Sequence, residues 1–291
     1  MSARVPPEVP FFVVDFLSIF VGVLLATFIS AYAALYLVSR LGPELMKYAA
    51  AVAVGITLWF FYDTIGGAIS LGANYSLFPL SSFGGLPHVG LILAFVLGLA
   101  TLYLFDHFAV PRPGGGSGSS SGFVFLIPAG IALVMGAHGL GEGWDASSAV
   151  ASAPISSSDV ITALTQAFGS VASVVSYPIH KFLEATIVGT AYLCFVQFNP
   201  SARRASWHIP LLGLLFAGPS VVGATLGYFY SADTSYFFAF GAAVALYAFV
   251  RLAEPLGAGF MARKTPTYIG PGIFVALGAG FFLLYTAALL H

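Results

Sequence analysis

About eight stretches of apolar residues, most of them 20 or longer, recur along this chain between short polar or Gly/Pro-rich breaks. A stretch of that length is what crossing the hydrocarbon of a bilayer requires. They fall near residues 11–39, 48–71, 89–105, 123–145, 160–198, 209–230, 236–262 and 268–290. Lipid offers the backbone no hydrogen-bond partner, so apolar runs of this kind must satisfy their amides internally as helices. Only 7% of the 291 residues are charged, too few to coat a water-soluble core of this size. The expected fold class is an all-α membrane protein of about eight transmembrane helices, multi-pass in the cell membrane with the lipid bilayer as its solvent.

Lys and Arg positions orient the spans, because short cytoplasmic connections are enriched in them. Arg40 and Lys47 flank the first connection, Arg112 lies in the third, Arg203 and Arg204 in the fifth, and Arg263 and Lys264 in the seventh. The second, fourth and sixth connections contain neither residue type. This alternation places the odd connections in the cytoplasm and both termini outside. Pro6, Pro7, Glu8 and Pro10 precede the first run without the basic region and cleavage site of a signal peptide, so that run is expected to remain as a span. Net charge is -1, which implies no nucleic-acid partner, and the single Cys194 excludes an internal disulfide or a thiolate metal cluster.

Residues 107–122 include a Gly/Ser tract that cannot bury itself, and this divides the chain into an N-terminal three-helix segment (1–106), a cytoplasmic linker (107–122) and a five-helix segment (123–291). The linker either lets the two segments move or is a dispensable loop. The run at 160–198 is too long for one straight span, which predicts an extension beyond the membrane or a break near Pro178.

Ionisable groups inside spans cost about 2.5–3.5 kcal/mol each on insertion scales, so each needs a reason. Two segments hold most of them. The fourth run contains His138-Gly139-Leu140-Gly141-Glu142-Gly143-Trp144-Asp145, and the fifth contains His180-Lys181-Phe182-Leu183-Glu184. Residues four apart share a helix face, so each His-x-x-x-Glu presents an imidazole and a carboxylate in one direction. Two such faces opposed supply two nitrogens and two carboxylates, a ligand set suited to Zn²⁺ first, and to Fe²⁺, Mn²⁺ or Co²⁺. Gly136, Gly139, Gly141 and Gly143 thin the fourth helix, for packing or for exposing carbonyls to an ion.

With these two motifs the chain resembles the ZIP (Zrt-, Irt-like) family of metal transporters, as a divergent member. His138-Gly139-Leu140-Gly141-Glu142-Gly143 is similar to the family's His-Asn-x-Pro-Glu-Gly motif, and His180-Lys181-Phe182-Leu183-Glu184 to its His-Glu-x-Pro-Glu motif. The segments 223–227 and 240–247 are weaker matches. The resemblance implies eight spans, metal uptake into the cytoplasm through His138, Glu142, His180 and Glu184, a site-bearing bundle that moves against a scaffold bundle, and a possible homodimer. It implies no prosthetic group, the metal being the transported substrate. The family's second, adjoining metal site uses an Asn and a carboxylate where this chain has Gly139 and Lys181, so that site is expected to be absent, with the Lys181 ammonium in place of a second cation.

Asp145 shares the face of His138 and either greets an incoming cation or is a solvated helix end. Asp15 and Asp63 either line an entrance or bond locally, the structural role being the expected one for both. An ion pair is expected for Arg251 with Glu254, and interfacial positions for His88, His107, His208 and His291. Two rivals to transport are an intramembrane zinc-dependent hydrolase, with Asp145 as general base, and a non-transporting membrane protein with a structural metal.

Overall fold

A computed structural model describes residues 2–3, 9–75, 89–109, 124–152, 160–204, 207–262 and 271–289. Its helices are α1 (Val9–Ser39), α2 (Met46–Tyr75), α3 (Val89–Ala109), α4 (Leu126–Ser152), α5 (Val160–Phe168), α6 (Val171–Phe198), α7 (His208–Phe229), α8 (Ser235–Ala262) and α9 (Pro271–Leu289). All but α5 are long and apolar enough to cross a membrane, giving eight spans among the described residues. A two-residue antiparallel pairing joins β1 (Ser2–Ala3) to β2 (Tyr230–Ser231). It puts the N-terminal segment and the α7–α8 connection at one end of the bundle, the end that lacks Lys and Arg in the sixth connection.

The long fifth run is broken, but at Gly169-Ser170 and not near Pro178. Gly169 adopts φ +82°, a left-handed turn that glycine enters without strain. Ser170 then caps α6, its hydroxyl accepting from the Ser173 amide at 3.0 Å. Pro178 sits inside a continuous α6, and its carbonyl accepts from the Ser30 hydroxyl of α1 at 2.8 Å. A proline inside a membrane helix deprives the carbonyl four residues before it, here that of Val174, of its usual donor without having to break the helix. The fourth run also differs from expectation: α4 continues to Ser152 through Ala146-Ser147-Ser148-Ala149-Val150, so Asp145 lies within the helix and is no solvated end.

The helices pack in two groups, α1, α4, α6 and α7 in one and α2, α3, α8 and α9 in the other. The closest packing between groups is α4 on α8 and α2 on α6. Packing therefore interleaves the two sequence segments on either side of the linker, since α1 joins α6 and α7 while α2 and α3 join α8 and α9. Of that linker, α3 takes residues up to Ala109, and 110–122 lie outside the described residues. Leu35, Ile56, Phe60, Ile131, Met135, Ile187, Leu193 and Leu212 fill the shared core.

Hydrophobicity does not hold one span against another when lipid is as apolar as leucine, so close backbone approach and polar contacts must do so. At the α4–α7 seam a Cβ on Gly136 would overlap the Leu215 carbonyl, one on Gly143 the Ser220 carbonyl, and one on Gly223 the Leu140 carbonyl. Gly139 faces the Ser220 side chain and Gly141 faces Phe237 of α8. Gly136, Gly139, Gly141 and Gly143 are thus packing positions. Between α3 and α8, Arg251 forms an ion pair with Asp106, which also accepts from the Tyr247 hydroxyl at 3.0 Å. The sequence-based partner for Arg251 was Glu254, whose side chain is outside those described.

Candidate metal centre

Both His-x-x-x-Glu motifs fall within helices, and the four-residue spacing does what it predicts locally. In α4, His138 Nε2 lies 3.2 Å from Glu142 Oε1, and in α6, His180 Nε2 lies 2.9 Å from Glu184 Oε1. The two helices then meet. His180 Nε2 is 3.9 Å from Glu142 Oε1, and one ligand atom from each of His138, Glu142 and Glu184 lies within 4.8 Å of the other two. His138, Glu142 and Glu184 thus form a compact group able to hold a metal ion, with His180 at its edge.

The group is deep. At 1.5 Å per residue, His138 lies roughly 18 Å from the start of α4 and about 21 Å from its end. His138, His180 and Glu184 are 2%, 3% and 0% exposed, and the Glu142 side chain is 15% exposed. Four such groups with no compensating contacts would be untenable at this depth.

Lys181 supplies much of the compensation. It is 1% exposed, and its ammonium reaches both carboxylates, donating to Glu184 Oε2 at 2.6 Å and pairing with Glu142 Oε2. The Tyr177 ring lies 5.7 Å beneath it. The carboxylate oxygens are therefore divided: the Oε1 atoms face the imidazoles and the Oε2 atoms face the ammonium.

The second helix group closes the site from the other side. Phe60 of α2 and Phe238 of α8 meet the His138 ring edge to face at centroid distances of 4.8 and 5.0 Å. Gly241 of α8 leaves room for that ring, since a Cβ there would stand 2.8 Å from His138 Nδ1. His138 Nδ1 is buried and has no hydrogen-bond partner among the described residues. The cluster thus belongs to α4 and α6 but faces the partner group across the interface.

Two further carboxylates stand nearby. Both oxygens of Asp145 accept from the Thr234 hydroxyl, at 2.8 and 3.1 Å, tying α4 to the start of α8. Asp63 of α2 is half-buried within electrostatic reach of His180, His138, Glu142 and Glu184, closer to the cluster than the local structural role, favoured for it over an entrance position, implied. The signal for it was present: apart from Lys47 at its start, Asp63 is the only charged residue in α2, and a lone intramembrane carboxylate marks a site. Asp15 has no described side chain. His208 is buried, with its Nδ1 3.1 Å from the Tyr192 hydroxyl and its ring stacked on Phe125, and takes no part in the cluster.

By sequence, the chain matches no family model and no curated protein. Fold and site together define an eight-span helical membrane protein with a buried His/Glu group of metal-ligating geometry.

Proposed function

We propose that this protein carries a divalent transition-metal cation across the cell membrane into the cytoplasm, with zinc as first substrate and iron or manganese as others, and that it is a divergent ZIP transporter. The observation that supports this most is the convergence of His138, Glu142 and Glu184 within 4.8 Å, with His180 beside them, at mid-depth in the bundle. A site held by one helix group and covered by the other has the arrangement that alternating access needs, because sliding one group against the other exchanges which end the site opens to. The donor set is borderline in softness, and the cluster contains no thiolate that would hold the metal too tightly to release.

The hydrolase alternative needs a general base at the metal, and Asp145 was its candidate. That carboxylate accepts from Thr234 and is not among the three residues of the compact ligand group, so the geometry lends this alternative less support than it lends transport.

Purified protein reconstituted in liposomes is expected to take up Zn²⁺ down its gradient with no second substrate. Uptake by His138→Ala should fall by more than about tenfold, since even losing a hydrogen-bond partner of a ligand costs about 10–100-fold in metal affinity. Wild-type rates in that variant would remove the site from the transport path.

A further inference from the structure

Lys181 occupies the centre of the cluster, and what it does there deepens the transport reading on which it rests. Its ammonium is bonded to the Oε2 atom of Glu184 and paired with the Oε2 atom of Glu142, while the Oε1 atoms of the same two residues face His180 and His138. One positive group therefore draws on the same two carboxylates that a metal would use, from their opposite edges. We propose that the Lys181 ammonium is a tethered competitor for Glu142 and Glu184, which weakens metal binding at the His/Glu edge and speeds metal release.

The charges set the direction. Two carboxylates and one ammonium sum to -1 when both imidazoles are neutral. A divalent cation arriving at the Oε1 edge then brings these groups to +1, offset in part by the more distant Asp63. Without the ammonium the same groups would be neutral, so the ammonium makes loading less favourable by one unit of charge in either case. Like charges a few ångströms apart repel strongly where the effective dielectric is low. A conducting or transporting site must bind well enough to load and weakly enough to unload, and a cation held on the protein supplies the second condition at every cycle. Lys181 follows His180 directly and precedes Glu184 by one helical turn, so it cannot diffuse away when metal binds and is at hand to reclaim the carboxylates when metal leaves. Its role is that of a positioning residue acting through Glu142 and Glu184.

The test compares full-length wild type, Lys181→Met and Lys181→Gln in detergent and in liposomes, with Zn²⁺ and Mn²⁺ as probes. Methionine removes the charge outright, and glutamine keeps donors for the carboxylates if methionine prevents folding. Both variants should bind metal at least about tenfold more tightly, a modest share of what a unit charge at this range exerts. Their uptake should show KM and maximal rate falling together, because tighter loading slows unloading. Structural damage would not lower KM. A folded variant whose affinity is unchanged or weaker than wild type overturns the proposal, while leaving the transport reading in place if wild type still binds and moves metal. Metal binding by the Lys181→Gln variant alone would support the competitor role and overturn transport by the native protein. No metal binding by any of the three overturns both.

Discussion

Replacing Glu184 with alanine is expected to abolish metal uptake and to destabilise the bundle by about 3–5 kcal/mol, the range for breaking a buried ion pair from one side. Glu184 is fully buried and holds two partners, His180 at 2.9 Å and Lys181 at 2.6 Å. Its loss leaves the ammonium with Glu142 alone and removes one of the three members of the compact ligand group. Glu184→Gln separates the two effects. The amide oxygen still accepts from Lys181, so the thermal midpoint in detergent should recover much of the loss, whereas uptake should stay low because the anionic ligand is gone. An alanine variant that transports at the wild-type rate would contradict the assignment.

The second large effect is architectural. Gly223→Leu in α7 should prevent folding, because even a Cβ at that position overlaps the Leu140 carbonyl of α4, and helix backbones cannot yield as a side chain can. Gly223→Ala alone is expected to cost about 3 kcal/mol or more, at the upper end of overpacking penalties. Gly218 provides the control within the same helix. A Cβ there meets only the Leu214 side chain at 3.6 Å, an ordinary contact, so Gly218→Ala should leave stability unchanged. Fluorescence-detected gel filtration of the three variants, followed by thermal unfolding, measures the difference. Equal behaviour of Gly218→Ala and Gly223→Ala would show that the α4–α7 approach is looser than described.

The spans and the two His-x-x-x-Glu faces were legible in the sequence because each depends on one local property. A run of apolar residues must be helical in lipid, and residues four apart must share a face. The break in the fifth run was misplaced because Pro178 is the louder signal. Gly169-Ser170, a left-handed glycine followed by a capping serine, was the pair that acted. The end of α4 was misjudged because Asp145 resembles a polar terminus, yet the small residues after it continue the helix and its carboxylate finds Thr234. Helix pairing was not legible at all. Lipid-facing and protein-facing surfaces are equally apolar, so nothing in α1 announces that it packs on α6 and α7, nor in α2 that it packs on α8 and α9. For the same reason, nothing in the sequence pointed to the ion pair that Arg251 makes with Asp106 across the seam to α3. Lys181 stood out in the sequence as a charge within a ligand motif, but its bond to both glutamates needed the two helices to be placed together.

X-ray absorption by the zinc-loaded protein tests the centre most directly. Coordination by His138, His180, Glu142 and Glu184 predicts two imidazole nitrogens and two carboxylate oxygens at about 2.0–2.2 Å, with the imidazole signal halved in His138→Ala. An all-oxygen shell, or a spectrum unchanged by that substitution, would contradict the assignment.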